Sequence, residues 1–164
     1  MIVVLMGVSG SGKTTIGTLL AEKLNTTFAD ADDYHPQANK DKMASGQPLN
    51  DEDRQPWLET LNGLLKSWYD GPKSGVLACS ALKEKYRETL SLGMPAGTIH
   101  FVLLEGDPEM IAERMAHRPG HFMNPKLLAS QLATLEPPKD AIRVANDKAP
   151  GLVVDEILGL VKTA

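Results

Sequence analysis

The chain has 164 residues, 42% of them apolar and 23% charged, with a formal charge of −4; these totals fit one globular domain and exclude a low-complexity or fibrous chain. The acidic balance argues against nucleic acid as a partner, and no apolar run approaches the roughly 20 residues of a membrane span. Cys79 is the only cysteine, so no intrachain disulfide can form and a reducing, cytoplasmic setting is expected.

Ile2-Val3-Val4-Leu5-Met6 is a continuous apolar, β-branched run, as in a buried parallel strand. It starts so early that no signal peptide is expected. Gly7-Val8-Ser9-Gly10-Ser11-Gly12-Lys13-Thr14 follows, a full match to G-x-x-x-x-G-K-[ST]. From Lys13 to Leu24, apolar residues at Ile16, Leu19, Leu20 and Leu24 share one helix face. The motif therefore lies where a strand hands over to a helix. Glycines at 7, 10 and 12 let the backbone turn its N–H groups inward, and the helix N-terminus adds partial positive charge. Ser9 to Thr15 is the expected phosphate-contact run, with Lys13 reaching the β- and γ-phosphates and the Thr14 hydroxyl on Mg²⁺.

Thr27-Phe28-Ala29 reads as a second strand, ending in Asp30-Ala31-Asp32-Asp33-Tyr34-His35-Pro36. An acid-x-acid pattern past a strand's C-terminal end lies where open α/β sheets bind ligands. One acid can hold Mg²⁺ and another accept a hydrogen bond from an attacking hydroxyl. Turn and cap chemistry is the competing explanation. His35 is equally open to a loop role or a ligand contact. Lys40 to Ser45 is expected to be helical with Gly46 as its stop, and Pro48 and Asn50 break the chain. Pro56 then sits near the start of a second helix, whose Leu58, Leu61, Leu65 and Trp68 face the core. Arg54 either pairs with Asp51 or Asp53, or grips a carboxylate of the substrate.

Asp70-Gly71-Pro72 is a turn, and Val76-Leu77-Ala78-Cys79 the third strand. Cys79 is expected to be packing. Ser80, Lys83 and Arg87 follow, either facing the cleft or forming a solvated basic face. Ile99 to Leu104 is the fourth strand, and Asp107-Pro108 opens a helix carrying Met110, Ile111 and Met115. Arg114 and Arg118 lie four apart on it. Residues 118–124, bounded by proline and glycine, read as a lid, with Arg118 placed to stabilise a transferring phosphoryl group, or else as an ordinary loop. Leu127 to Leu135 is helical and ends before Pro137-Pro138. Ala141 to Val144 is a fifth strand, Asn146 to Pro150 an adenine-edge loop, and Leu152 to Val161 the last helix. Alternating strands and helices predict a single α/β domain over 1–164 with a parallel sheet covered on both faces.

GVSGSGKT at 7–14, DADDYHP at 30–36, KMASGQPLNDEDRQPWL at 42–58, CSALKEKYR at 79–87, RPGHFM at 118–123 and LLASQLATLEPP at 127–138 together closely resemble the gluconate kinases, small-molecule kinases of the P-loop nucleoside-monophosphate-kinase-like group. The resemblance implies ATP-dependent phosphorylation of D-gluconate at its 6-hydroxyl and a five-stranded parallel sheet of order 2-3-1-4-5. It also implies a lid near 118–124, a substrate-binding segment near 32–70 and a homodimer. By position, Lys13 and Thr14 serve phosphates and Mg²⁺, and Asp30 helps hold the metal. Asp32 meets the acceptor hydroxyl, Arg54 binds substrate, Arg114 stacks on adenine and Arg118 is the lid arginine. His35, Lys83 and Arg87 lie in substrate-side motifs. Ala31 stands where the family pattern has glycine. Shikimate kinases, the nearest alternative, carry a triple glycine after the third strand, where this chain has Cys79-Ser80-Ala81-Leu82-Lys83.

Overall fold

Ile2–Met6 (β1) is buried at all five positions, which only the centre of a sheet covered on both faces allows. In the computed structural model, which describes residues 1–8, 10–71, 74–106, 109–111, 113, 125–138 and 141–163, β1 is flanked by Gly75–Ala78 (β3) and Ile99–Glu105 (β4). Thr27–Asp30 (β2) and Ile142–Ala145 (β5) form the edges. All four pairings are parallel and the order is β2-β3-β1-β4-β5, as expected.

Strand side chains alternate between two cores. Val3, Leu5 and Val76 face the helices Lys13–Lys23 (α1) and Pro150–Thr163 (α6), which contribute Ile16, Leu20, Val153 and Ile157. Val4, Met6 and Leu77 face Asp51–Asp70 (α3) and Glu84–Ser91 (α4). Gln37–Ala44 (α2) and Pro125–Thr134 (α5) each contribute residues to a cleft, and residues 109–111 and 113 are helical. The buried face of α1 is tighter than the leucine spacing predicts. Gly17 and Ala21 lie on it, and a Cβ at Gly17 would sit 2.4 Å from the Phe28 ring.

Two helix starts differ from expectation. α2 begins at Gln37, directly after Pro36, rather than at Lys40. α3 begins at Asp51 because Asn50 is its N-cap, not a chain break. The Asn50 side chain accepts from Asp53 N at 2.8 Å, and Asp53 Oδ2 accepts from Asn50 N at 2.9 Å. This reciprocal cap satisfies two otherwise orphaned donors. Pro56 therefore lies inside the helix, and the extra first turn carries Arg54 to the cleft. Among the described residues no helix is long and apolar enough to cross a membrane.

Candidate active site

The P-loop folds as a left-handed bend. Gly7, Gly10 and Gly12 have φ of 146°, 81° and 97°, conformations that side chains resist. Gly12 is also the N-cap of α1, and no side chain caps that helix. Its first-turn amides thus face the cleft, the arrangement that binds an anion. The Ser11 hydroxyl is buried and, among the described residues, without a hydrogen-bond partner, which suits a phosphate oxygen. Lys13 Nζ folds back on the carbonyls of Gly7 and Val8 at 2.9 and 3.0 Å.

At the end of β2, Asp30 joins the two expected metal residues. Its Oδ2 accepts from Thr14 Oγ1 at 3.2 Å and its Oδ1 accepts from Asp32 N at 3.0 Å. The second bond caps a short 3₁₀ turn, Ala31–Tyr34, that projects Asp32 into the cleft. Ala31 is accommodated because the turn needs no positive φ there. A hydroxyl and a carboxylate are hard oxygen donors that fit Mg²⁺, which draws its remaining ligands from phosphates and water.

Opposite this floor lies a cleft of about 330 Å³. Arg54 lines it, and among the described residues no carboxylate lies within ion-pair distance of it, although its charge still acts on Asp53. Asp53 is held by the cap and by Lys42 Nζ at 2.6 Å. Asp51 receives Lys83 at 3.4 Å, Lys85, and the Tyr86 hydroxyl. Among the described residues Arg54 has one hydrogen-bond partner, the Tyr86 oxygen at 3.0 Å. Tyr86 donates its proton to Asp51, so only its lone pairs face the guanidinium. Lys85 first, then Tyr86, hold the Asp51 carboxyl far below the usual range, while burial pushes the Tyr86 phenol up to about 12. A phenol oxygen orients a guanidinium without neutralising it, so the arrangement around Arg54 could receive a carboxylate.

The model of the shikimate kinase family matches residues 9–155. The thermosensitive gluconokinase of Escherichia coli (strain K12) is 50% identical over 145 residues, covering 86% of this chain and 76% of that protein. A probable gluconokinase from Xenopus tropicalis is 46% identical over 176 residues, covering 97% and 92%. The crystal structure of a gluconokinase from Sinorhizobium meliloti 1021 has a TM-score of 0.87 at 40% identity, covering 98% of this chain and 91% of that one. The chain belongs to the gluconokinase family.

Within this gluconokinase fold the expected site residues divide. Gly10, Gly12, Lys13, Thr14, Asp30, Asp32, His35 and Arg54 meet in one cleft. Lys83 lies beside it, on Asp51 and 5.7 Å above the Tyr86 ring. Arg87 is redirected. It is 4% exposed, and its guanidinium donates to the carbonyls of Ala81 and Glu136 at 2.7 Å each and to the Glu84 carboxylate at 3.0 Å. With those acceptors around it, Arg87 rivets α4 to the segment after α5 rather than reaching the substrate. Cys79 is packing, its thiol pushed up to about 12 by burial. Ser9, Arg114, Arg118 and the lid at 118–124 lie outside the described residues. Asn146, expected only as the start of an adenine-edge loop, donates its side-chain N–H to the Ser11 carbonyl at 2.8 Å and so ties the end of β5 to the P-loop. Sequence reasoning missed Ser130, Gln131 and Thr134, which line the cleft from α5. Their only signal was polar residues within a leucine-rich helix.

Proposed function

We propose that the protein transfers the γ-phosphoryl group of ATP to the 6-hydroxyl of D-gluconate, giving 6-phosphogluconate and ADP. One observation carries the reading: a cleft that joins a P-loop to Arg54, a half-buried cation whose hydrogen-bond partner is a phenol rather than a carboxylate. Gluconate is a flexible polyol with one carboxylate. Arg54, with Lys83 beside it, takes the carboxylate, and polar groups of α5 face the hydroxyls. The far hydroxyl then points to Asp32, which accepts its hydrogen bond and finally its proton. The bond from that oxygen to the γ-phosphorus forms as the bond to the β,γ-bridging oxygen breaks, and the pair of electrons leaves with ADP. Positioning and charge neutralisation supply most of the acceleration in such transfers. Lys13 moves from its carbonyl partners to the phosphates. Thr14 and Asp30 would hold Mg²⁺, which neutralises charge on the phosphates when bound. Arg118 serves as the lid cation over residues 118–124, Arg114 stacks on adenine, and lid closure excludes water.

The reading extends to a cytoplasmic homodimer. The single buried cysteine supports a reducing compartment, and sedimentation at working concentration tests the assembly. The activity is tested with purified protein, MgATP and a panel of sugar acids including shikimate, read by ADP release. Gluconate is expected to give the highest kcat/KM. No ADP with gluconate, or a preference for shikimate, overturns the proposal.

A further inference from the structure

His35 and Asn39 are polar residues buried beside the cleft, 8% and 5% exposed. The Asn39 side-chain nitrogen donates to the main-chain oxygen of Asp53 at 2.8 Å. A carbonyl oxygen can only accept, so this contact fixes which end of the amide is nitrogen. The same nitrogen lies 3.2 Å from His35 Nδ1. An amide nitrogen can only donate, so Nδ1 must present a lone pair. The proton of the neutral imidazole is then on Nε2. A second proton on Nδ1 would face the amide hydrogens, so this packing disfavours the imidazolium. The ring cannot turn away, because it stacks on Trp57 at 4.2 Å and 13°. Trp57 is itself pinned, its indole N–H donating to the Ala31 carbonyl at 2.7 Å, between the two acids of the site.

The groups facing His35 are Asp32 from the 3₁₀ turn, Lys40 from α2 and Arg54 from α3. Burial first, then Arg54 and Lys40, hold the imidazole's pKa down at about 4, in the same direction as the amide contact. Nε2 lies 4.0 Å from Asp32 Oδ1, and both residues line the cleft.

We infer that Asn39 is a positioning residue that locks His35 as the neutral Nε2–H tautomer, so that His35 keeps an N–H facing Asp32 Oδ1, 4.0 Å away and beyond hydrogen-bond distance in the unliganded cleft, which becomes a donor to that oxygen when substrate draws the pair together and leaves Oδ2 for the acceptor hydroxyl. A neutral donor orients the carboxylate without the strong acidifying effect of an imidazolium, which would weaken it as a proton acceptor. The functional half of this inference rests on the role proposed for Asp32; the tautomer does not.

The test uses the full chain with isotope-labelled histidine and ring-nitrogen NMR from about pH 5.5 to 8, spanning the ordinary histidine range. His35 is expected to hold one proton, on Nε2, throughout. A proton on Nδ1, or a titration midpoint near the ordinary value of about 6.5, overturns the inference. In Asn39→Asp the new carboxylate accepts from Nδ1, so that nitrogen is expected to gain a proton and the pH profile of kcat to gain an ionisation absent from the parent. Because a glutamine amide places a donor where Nε2 stands, His35→Gln is expected to keep kcat within about threefold. His35→Leu is expected to lose about tenfold or more, with the KM for ATP unchanged, the scale of one lost hydrogen bond. Equal kcat in His35→Gln and His35→Leu overturns the functional half. An Nε2–H tautomer found together with full turnover in Asp32→Asn overturns the Asp32 reading instead, and leaves the lock standing.

Discussion

On the nucleotide wall of the cleft the working groups belong to one short run of chain, residues 7–14, and much of the cradle is main chain. On the proposed acceptor wall they are side chains delivered by separate segments: Asp32 from a 3₁₀ turn, Arg54 from α3 with Tyr86 of α4 behind it, and Ser130 and Gln131 from α5. The phosphate is the same in every nucleotide, so a rigid, side-chain-poor cradle suffices. The acceptor must be distinguished from other hydroxy acids, and that takes side chains placed by tertiary packing. Changes on the two walls should therefore separate kinetically.

The largest effect is expected where the walls meet. Asp32→Asn should lower kcat by about 10²–10⁴ while ATP binding, read by nucleotide titration, is kept. Near-normal turnover would remove Asp32 from the reaction.

Next in size is an acid sensitivity on the acceptor wall. The His35 pKa is about 4 in the fold against 6.5 unfolded, so as pH falls the unfolded chain takes up its proton first. His35 thus contributes its stability in full above about pH 6.5 and loses it as pH drops toward 4, by at most about 3 kcal/mol. The lowered pKa values of Asp51 and Asp53 act only below that window, as pH falls past their ordinary value of 3.8. Urea unfolding at about pH 7.5 and 4.5 should show a smaller acid loss in His35→Gln than in the parent; equal losses would place the sensitivity elsewhere.

On the nucleotide wall, Gly12→Ala puts a side chain at φ 97° with its Cβ 2.3 Å from Asn146 Nδ2. The left-handed backbone alone costs about 1–2 kcal/mol, and the Asn146 clamp on Ser11 must shift. The KM for ATP is expected to rise with the KM for gluconate little changed, as steady-state kinetics would read. A change confined to gluconate would break the division between the walls.

Arg54→Ala should raise the KM for gluconate by about 10- to 100-fold, the worth of a charged hydrogen bond. Tyr86→Phe removes the oxygen that orients Arg54 together with its bond to Asp51, and about a 3- to 10-fold rise is expected. A rise in the KM for ATP in either variant would count against the assignment. Equal effects from the two would mean that Tyr86 itself touches the acid.

How much was legible follows the same division. The P-loop strand, Ile2–Met6, and the core stripe Leu58, Leu61, Leu65 and Trp68 were readable because their signals are local and periodic. Asn50 was mistaken for a break because an N-cap and a turn favour the same residue types. Arg54 was weighed against Asp51 and Asp53, its neighbours in sequence. A helix cap claims one and α4 claims the other, so neither hydrogen-bonds to it.

From its sequence alone this chain determined the order of its elements, the parallel sheet and the nucleotide cradle, since period, glycine spacing and apolar runs act between near neighbours. Only the tertiary structure decided that Arg87 is a rivet, that Asn146 holds Ser11 from 135 positions away, and that Arg54 is partnered by a phenol rather than a carboxylate. Those outcomes depend on which donors and acceptors burial brings within about 3 Å of each other, a distance that no spacing along the chain encodes.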